Sequence, residues 1–320
     1  MSDLVVSHSR IKTWRRCKMA HHYKYVQKLR PLRKSVTLYT GTVIHSYLEG
    51  WIERGTWKGE QAAVEKEFYG LYREEQEELG DVPTFCDEIM KGYVSAYKND
   101  GLIYPEYEGR KTEIEVLVDF MPGVVFKGYI DAYPMDKMGD SWVLDHKTCR
   151  YIPGEDMRNL DSQLATYCWL APRAGLPKPH GIVWDYIRTK LPSKPRLLKS
   201  GKMSTAAIET TPQVYKAELK RYNIDPKPYK DFIASLRRHE GAFFRRVWVP
   251  QPNQTFVKTL IRDLKRSTKE IMRYGEKSCI RSMGFGCLSC EYKSLCTVEM
   301  RGIDSTMVRE SQFTTEEFQK

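Results

Sequence analysis

The apolar residues of this chain change period once, and that change decides which folds are open to it. Toward the N-terminus the pattern is helical. Gly41 to Glu53 carries Ile44, Tyr47, Leu48, Trp51 and Ile52 at i, i+3, i+4, i+7 and i+8, one face of a helix. Ser9 to Tyr25 reads as a basic helix with Ser9 as N-cap, and Gln61 to Leu79 and Cys86 to Tyr97 as two more. Then the period becomes two. Ile114, Val116, Val118 and Phe120 alternate with Glu115, Leu117 and Asp119, as a strand requires. Phe126 to Asp131 and Trp142 to Lys147 read as further strands, joined by a polar turn around Asp136 to Asp140. A helix over Leu160 to Ala171 and a strand over Ile182 to Ile187 follow. Helices over Pro212 to Tyr222 and Tyr229 to His239, a strand over Phe243 to Val249 and a long helix over Gln254 to Tyr274 complete the order. Helices, then clustered strands, a helix and another strand predict an α/β fold with a mixed central β-sheet flanked by helices.

At 320 residues the chain is one large domain or two modest ones. The pattern divides it into a helical region over 1–110, a core over 111–250, a C-terminal helix with cysteines over 251–300, and a polar tail over 301–320. The net charge of +11 points to a polyanionic partner, nucleic acid first and an anionic membrane surface second. No apolar run approaches the roughly 18 residues of a membrane-spanning helix, so no membrane insertion is expected. Met1 to Ile11 carries Asp3, His8 and Arg10 without the apolar stretch of a secretory signal. The expected location is cytoplasmic, at the nucleoid, or in the host cytoplasm for a phage-encoded chain. Gly201-Lys202-Met203-Ser204 lacks the preceding glycine and the adjoining hydroxyl residue of a P-loop, so no NTP motor is recognisable.

The chemistry concentrates in Val143-Leu144-Asp145-His146-Lys147-Thr148. With a strand's period of two, Asp145 and Lys147 share a face. Asp131 ends the preceding strand and approaches them if the two strands pair. Two carboxylates suit Mg²⁺ or Mn²⁺, hard cations that prefer oxygen ligands. Lys147 is placed to orient water or to stabilise developing negative charge. By itself, Asp-x-Lys is also how a surface ion pair at a strand end reads.

Cys287-x2-Cys290-x5-Cys296 supplies three thiolates where a tetrahedral site needs four ligands. Cys279 is the nearest fourth and Cys17 the remote one. Cys86, Cys149 and Cys168 read as ordinary thiols. Four thiolates accept either zinc or a [4Fe–4S] cluster, although one cysteine plus three matches a zinc ribbon poorly.

Taken in order, Ser9-Arg10-Ile11-x5-Cys17, Gly41-Thr42-x2-His45-x2-Leu48-Glu49, Gly128-Tyr129-Ile130-Asp131, Val143 to Thr148, Gln163-x3-Tyr167 and the cysteine trio resemble the RecB-like branch of the PD-(D/E)XK nucleases. The trio is similar to the cluster-binding C-terminus of AddB-type and CRISPR-associated members. Ile130 stands where the superfamily's name has proline. The resemblance implies a restriction-endonuclease-like core whose N- and C-terminal segments are joined by a metal cluster. It implies metal ligation by His45, Asp131, Asp145 and the backbone carbonyl of His146, and catalysis by Lys147. Gln163 and Tyr167, one turn apart on a helix, would line the site near the substrate phosphate. The cluster would be [4Fe–4S], or alternatively Zn²⁺, on Cys17, Cys287, Cys290 and Cys296.

The expected activity is metal-dependent hydrolysis of DNA, as an exonuclease on single-stranded ends in recombination, repair or phage DNA metabolism. The alternatives are a structure-selective endonuclease and a catalytically silent DNA-end-binding scaffold. A recombination or helicase partner protein is left open. The densest basic stretch, Arg188 to Lys202, has six cations and no acid, so Arg188, Lys190, Lys194 and Arg196 are the expected DNA contacts.

Overall fold

The structure is a computed structural model and describes residues 4–33, 35–159 and 161–315. Lys34, Leu160, Met1 and Asp3 lie outside that range, as do residues 316–320 of the expected polar tail. The chain begins with β1 (Leu4–Val6), a strand too short for periodicity to reveal. α1 (His8–Arg16) follows, capped two residues earlier than expected by Ser7, whose Oγ accepts the Arg10 N–H at 3.1 Å. The helix expected to run to Tyr25 is three pieces. Cys17 is extended (φ −162°, ψ 118°) and separates α1 from α2 (Lys18–His21), and a π-helical turn over His22–Val26 comes next. A short strand, β2 (Arg30–Pro31), closes the segment.

α3 (Val36–Arg54) is longer than its apolar stripe and stops at Gly55, whose φ of 72° is the left-handed terminator that glycine adopts freely. The charged stretch is two helices, α4 (Lys58–Tyr69) and α5 (Arg73–Leu79), interrupted at Gly70. α6 (Val82–Tyr97), capped by Asp81, completes the first helical group.

The sheet contains β3 (Thr112–Met121), β4 (Val124–Ala132), β5 (Trp142–Cys149), β6 (Gly181–Arg188) and β7 (Phe244–Pro250), with β1 parallel to β4. Between β5 and β6 lie α7 (Glu155–Asn159) and α8 (Gln163–Leu170). α9 (Pro212–Arg221) and α10 (Lys230–Leu236) precede β7. α11 (Gln254–Tyr274), α12 (Lys293–Met300), α13 (Thr306–Gln312) and β8 (Phe313–Thr314) end the described chain, so the expected tail carries a helix and a strand.

The β5–β6 pair is parallel, while β3–β4, β4–β5 and β6–β7 are antiparallel, so the sheet is mixed as expected. Every residue of β6 is buried, which is why Gly181-Ile182-Val183-Trp184-Asp185-Tyr186-Ile187 reads as a nearly continuous apolar run. Ile11, Leu164, Leu170, Leu260 and Leu264 pack with sheet residues such as Val116, Phe126, Val143 and Trp184. Val43, Tyr47, Ile89 and Tyr93 pack with Ile187 and Phe244 in a second cluster.

One irregularity positions everything that follows. β3 pairs with β4 along its length, from Thr112↔Ala132 to Met121↔Val124, and so occupies one edge. β1 takes residues 124–126 of the other edge, and β5 meets β4 only at Ala132↔Leu144. Among the described residues, 127–131 thus have no strand on that edge. The sheet forks there, and its backbone groups must find partners among side chains.

The segments near the two ends meet in a small core of Met19, Ala20, Tyr23, Leu29, Tyr292, Leu295 and Phe313. The Tyr292 hydroxyl donates to the Leu29 carbonyl at 3.0 Å, the Met19 N–H to the Ile280 carbonyl at 3.0 Å, and β2 pairs with β8.

Candidate active site

Asp131 stands at the fork. Its Oδ2 accepts the His146 N–H at 2.8 Å, where a ladder carbonyl would otherwise have been. α8 fills the opening from one side. The Tyr167 ring packs so closely over Gly128 that a Cβ there would lie 2.9 Å from its hydroxyl and 2.7 Å from Cε1, so glycine is required. Burial pushes the Tyr167 phenol up to about 12, so it is neutral near pH 7.

Asp145 and Lys147 share a face, as the period of β5 requires, and the Lys147 ammonium is 2.8 Å from Asp145 Oδ2. Lys147 Nζ also donates to Gln163 Oε1 at 3.4 Å from the first turn of α8. Burial raises the Asp145 carboxyl, with Lys147 opposing that shift. Burial works against the Lys147 ammonium, but Asp145, then Asp131, outweigh it and hold its pKa up, so the lysine is charged. Asp131 is raised well above the usual carboxylate range by burial and then by the Asp145 charge. The Asp145 charge works against ionisation of Asp131, and a divalent cation would relieve that.

α3 approaches the fork from the opposite side. His45 Nδ1 is 3.7 Å from Asp131 Oδ2. Burial, then the neighbouring His146 and Lys147, lower the His45 pKa to about 4. The ring is therefore neutral near pH 7, not an ion-pair partner, and its lone pair is available to a metal. Glu113, at the start of β3, was not singled out by sequence reasoning. Glu113, His45 and Asp131 each place a ligand atom within 4.8 Å of the other two.

Behind the fork runs a buried polar network that the sequence also hid. His146 Nδ1 is 2.9 Å from Asp185 Oδ2, and Tyr93 donates to the same carboxylate. Arg246 Nε is 3.4 Å from Asp185 Oδ1, and Arg246 also bonds Tyr93 at 2.8 Å and pairs with Asp100. Burial would raise the Asp185 carboxyl, but Arg246 and the bond from His146 hold it below the ordinary value. The available signal was a lone aspartate within the apolar run of β6.

The thiols are only partly gathered. Cys17, Cys290 and Cys296 pack on the small core between the end segments, and Arg281 Nε lies 3.3 Å from Cys296 Sγ. Cys287 sits one turn before Cys290, with its sulfur 3.8 Å from the Ser282 carbonyl. Cys279 is exposed. Among the described residues, no three of these sulfurs lie within 4.8 Å of one another, as His45, Glu113 and Asp131 do.

The expected DNA contacts fare unevenly. Arg188 is buried, donating to the Arg150 carbonyl at 3.0 Å and pairing with Glu209 at 3.2 Å, so it is committed to the fold. Lys190 pairs with the same Glu209, while Lys194 and Arg196 are exposed. A second basic feature is a groove of about 560 Å³ along α11, whose lining includes Lys258, Arg262, Lys265, Arg266 and Lys269 with Trp169. Its signal was a run of cations three and four residues apart in a single helix. No helix among the described residues is long and apolar enough to cross a membrane.

Residues 5–297 match the profile of the PD-(D/E)XK nuclease superfamily. Among curated proteins nothing matches the chain. The crystal structure of SSO0001 aligns with 90% of this chain and 94% of that one, at 15% identity and a TM-score of 0.32, a likeness too distant to carry an argument.

Proposed function

The chain belongs to the PD-(D/E)XK nuclease superfamily, and from that premise we propose that it is a metal-dependent deoxyribonuclease, an exonuclease acting on single-stranded DNA ends. The carrying observation is the convergence of Asp131, Asp145, Lys147 and Gln163 at the fork.

Asp131 and Asp145 would hold the divalent cation, Mg²⁺ or Mn²⁺, with His45 beside them. His45 and Asp131 fit, being a neutral imidazole and a buried carboxylate whose ligand atoms lie within 4.8 Å of each other, whereas Asp145 falls outside that group and has its Oδ2 2.8 Å from Lys147. When bound, such a cation polarises the phosphodiester and acidifies water. The chain supplies the rest. Asp145 and Gln163 hold Lys147 from two directions, so its charged ammonium is oriented before substrate arrives. It is placed to stabilise the negative charge that develops on the phosphate. The backbone carbonyl of His146 lies on the His45 side of the fork and is a further candidate ligand.

The α11 groove supports the DNA reading. Its five cations suit phosphates, and Trp169 offers a stacking face. The test compares 5′-labelled linear single-stranded DNA with internally labelled circular single-stranded DNA, each with Mg²⁺ or Mn²⁺. The expected result is loss of linear DNA to 5′-phosphate products while circles persist. Cutting of circles would make the enzyme an endonuclease, and binding without loss of either would make it a scaffold.

The cysteines support a structural [4Fe–4S] cluster on Cys17, Cys287, Cys290 and Cys296, in keeping with the packing of three of them on one small core. Protein purified without oxygen should be brown and contain about four irons per chain. Cys17→Ala should lose the colour, and Cys279→Ala should keep it. A colourless protein with one zinc would replace iron by zinc. Colour kept in Cys17→Ala but lost in Cys279→Ala would place the site wholly within the C-terminal segment.

A further inference from the structure

Glu113 has a feature that neither packing nor strand pairing explains. It is the second residue of β3, yet its φ is 48°, a left-handed conformation that L side chains avoid. Its neighbours are held in regular fashion. The Glu53 carboxylate accepts the N–H groups of Lys111 and Thr112 at 2.7 and 2.9 Å and the Thr112 hydroxyl at 2.8 Å, and Ile114 pairs with Ile130. The unfavourable conformation therefore falls on one residue, and that residue's carboxylate is the one brought to His45 and Asp131. Such local strain concentrates where structure serves a ligand.

The cavity beside Glu113 gives independent support. It measures about 10 Å³, room for one water-sized occupant, and its lining includes His45, Glu49, Glu113, Asp131 and His146 beside the apolar Leu48 and Ile52. His146 is only 3% exposed. Its Nδ1 bonds the Asp185 carboxylate at 2.9 Å, which leaves Nε2 as the free ring nitrogen. That nitrogen is buried and has no hydrogen-bond partner. A polar atom buried without a partner, on a residue that lines the cavity, leaves room for a ligand there. Among the described residues no cationic side chain pairs with Glu113, although two acidic groups stand near it.

We propose that Glu113 is a metal ligand, completing with His45 and Asp131 a set of one nitrogen and two carboxylates for a divalent transition cation. The left-handed backbone at residue 113 turns its carboxylate toward α3 and Asp131. The inference rests on the reading of the fork as a cation site and adds to His45, Asp131 and Asp145 a fourth side chain, drawn from a position outside the motifs.

The probe is Mn²⁺ alone, titrated into chelator-treated protein and followed by electron paramagnetic resonance, with no DNA present. Glu113→Gln should weaken Mn²⁺ binding about tenfold or more while keeping the nitrogen coupling from His45. Glu113→Gly removes the carboxylate and relaxes the backbone, so it should show the same loss in a protein at least as stable as the parent, which guards against misfolding as the cause. Glu115→Gln, on the same strand, should bind like the parent. Parent-like binding in Glu113→Gln and Glu113→Gly, with loss in Asp131→Asn, overturns the role of Glu113 and leaves the cation site standing. Absence of Mn²⁺ binding in the parent, or parent-like binding in Asp131→Asn and His45→Ala, overturns both.

Discussion

Lys147→Ala is expected to lower the single-turnover rate of phosphodiester cleavage by about a thousandfold, the scale lost when one preorganised donor to a developing oxyanion is removed. Its two neighbours on α8 do not replace it. Gln163 is neutral, and the Tyr167 phenol stays protonated because burial raises it. The fold should tolerate the change. Asp145 loses its counterion but is already displaced toward its neutral form by burial, so it takes up a proton instead of remaining as a bare buried charge. The check is cleavage of a labelled oligonucleotide at saturating Mn²⁺, with DNA affinity measured alongside. A rate within about tenfold of the parent would remove Lys147 from the chemistry. A matched loss of DNA affinity would make it a binding residue.

The largest effect on stability should come from behind the site. Arg246→Met is expected to destabilise the metal-free protein by about 3–5 kcal/mol, the cost of leaving a buried charge without its partner. Asp185 is 0% exposed, and the Arg246 side chain is its only full positive charge among the described contacts. Arg246 also lies 4.1 Å from the Tyr97 ring centroid, so packing is lost as well. Asp185→Asn added to Arg246→Met should recover part of the loss, because the remaining group is no longer an anion. Urea denaturation of the two variants and the parent decides it. A loss below about 1 kcal/mol in Arg246→Met would mean that the tyrosines alone carry the network.

What could be read from the chain depended on whether the information was local. The helix over Gln254 to Tyr274 was legible to the residue, because a long amphipathic pattern has one solution, and the structure caps it with Asn253. The shared face of Asp145 and Lys147 follows from strand geometry alone. The break at Cys17 was hidden because apolar residues recur at helical spacing on both sides of it, and Gly70 was hidden in a charged stretch that no core pattern punctuates. The site itself was half legible. Asp131, Asp145 and Lys147 lie on neighbouring strands, but the fork that opens between them depends on β5 touching β4 at a single pair. Glu113 and Asp185 come from β3 and β6, and composition around them says nothing of where those strands lie. The basic count from Arg188 to Lys202 took no account of Glu209, which follows in sequence and pairs with two of the cations.

The small core joining residues 17–29 to residues 280–314 has a consequence for how the protein is made. The Tyr292 hydroxyl and the Leu29 carbonyl are 263 positions apart, and most of the sheet lies between them in the chain. A ribosome adding about 5–20 residues per second needs roughly ten to fifty seconds to cover that distance. For that interval Met19, Tyr23 and Leu29 have no partner to cover them. The α1–α2 segment must wait, with apolar side chains and thiol exposed, until α12 and β8 emerge. The sheet with its nuclease fork has all its strands well before that, so in synthesis the closing of the two ends comes last.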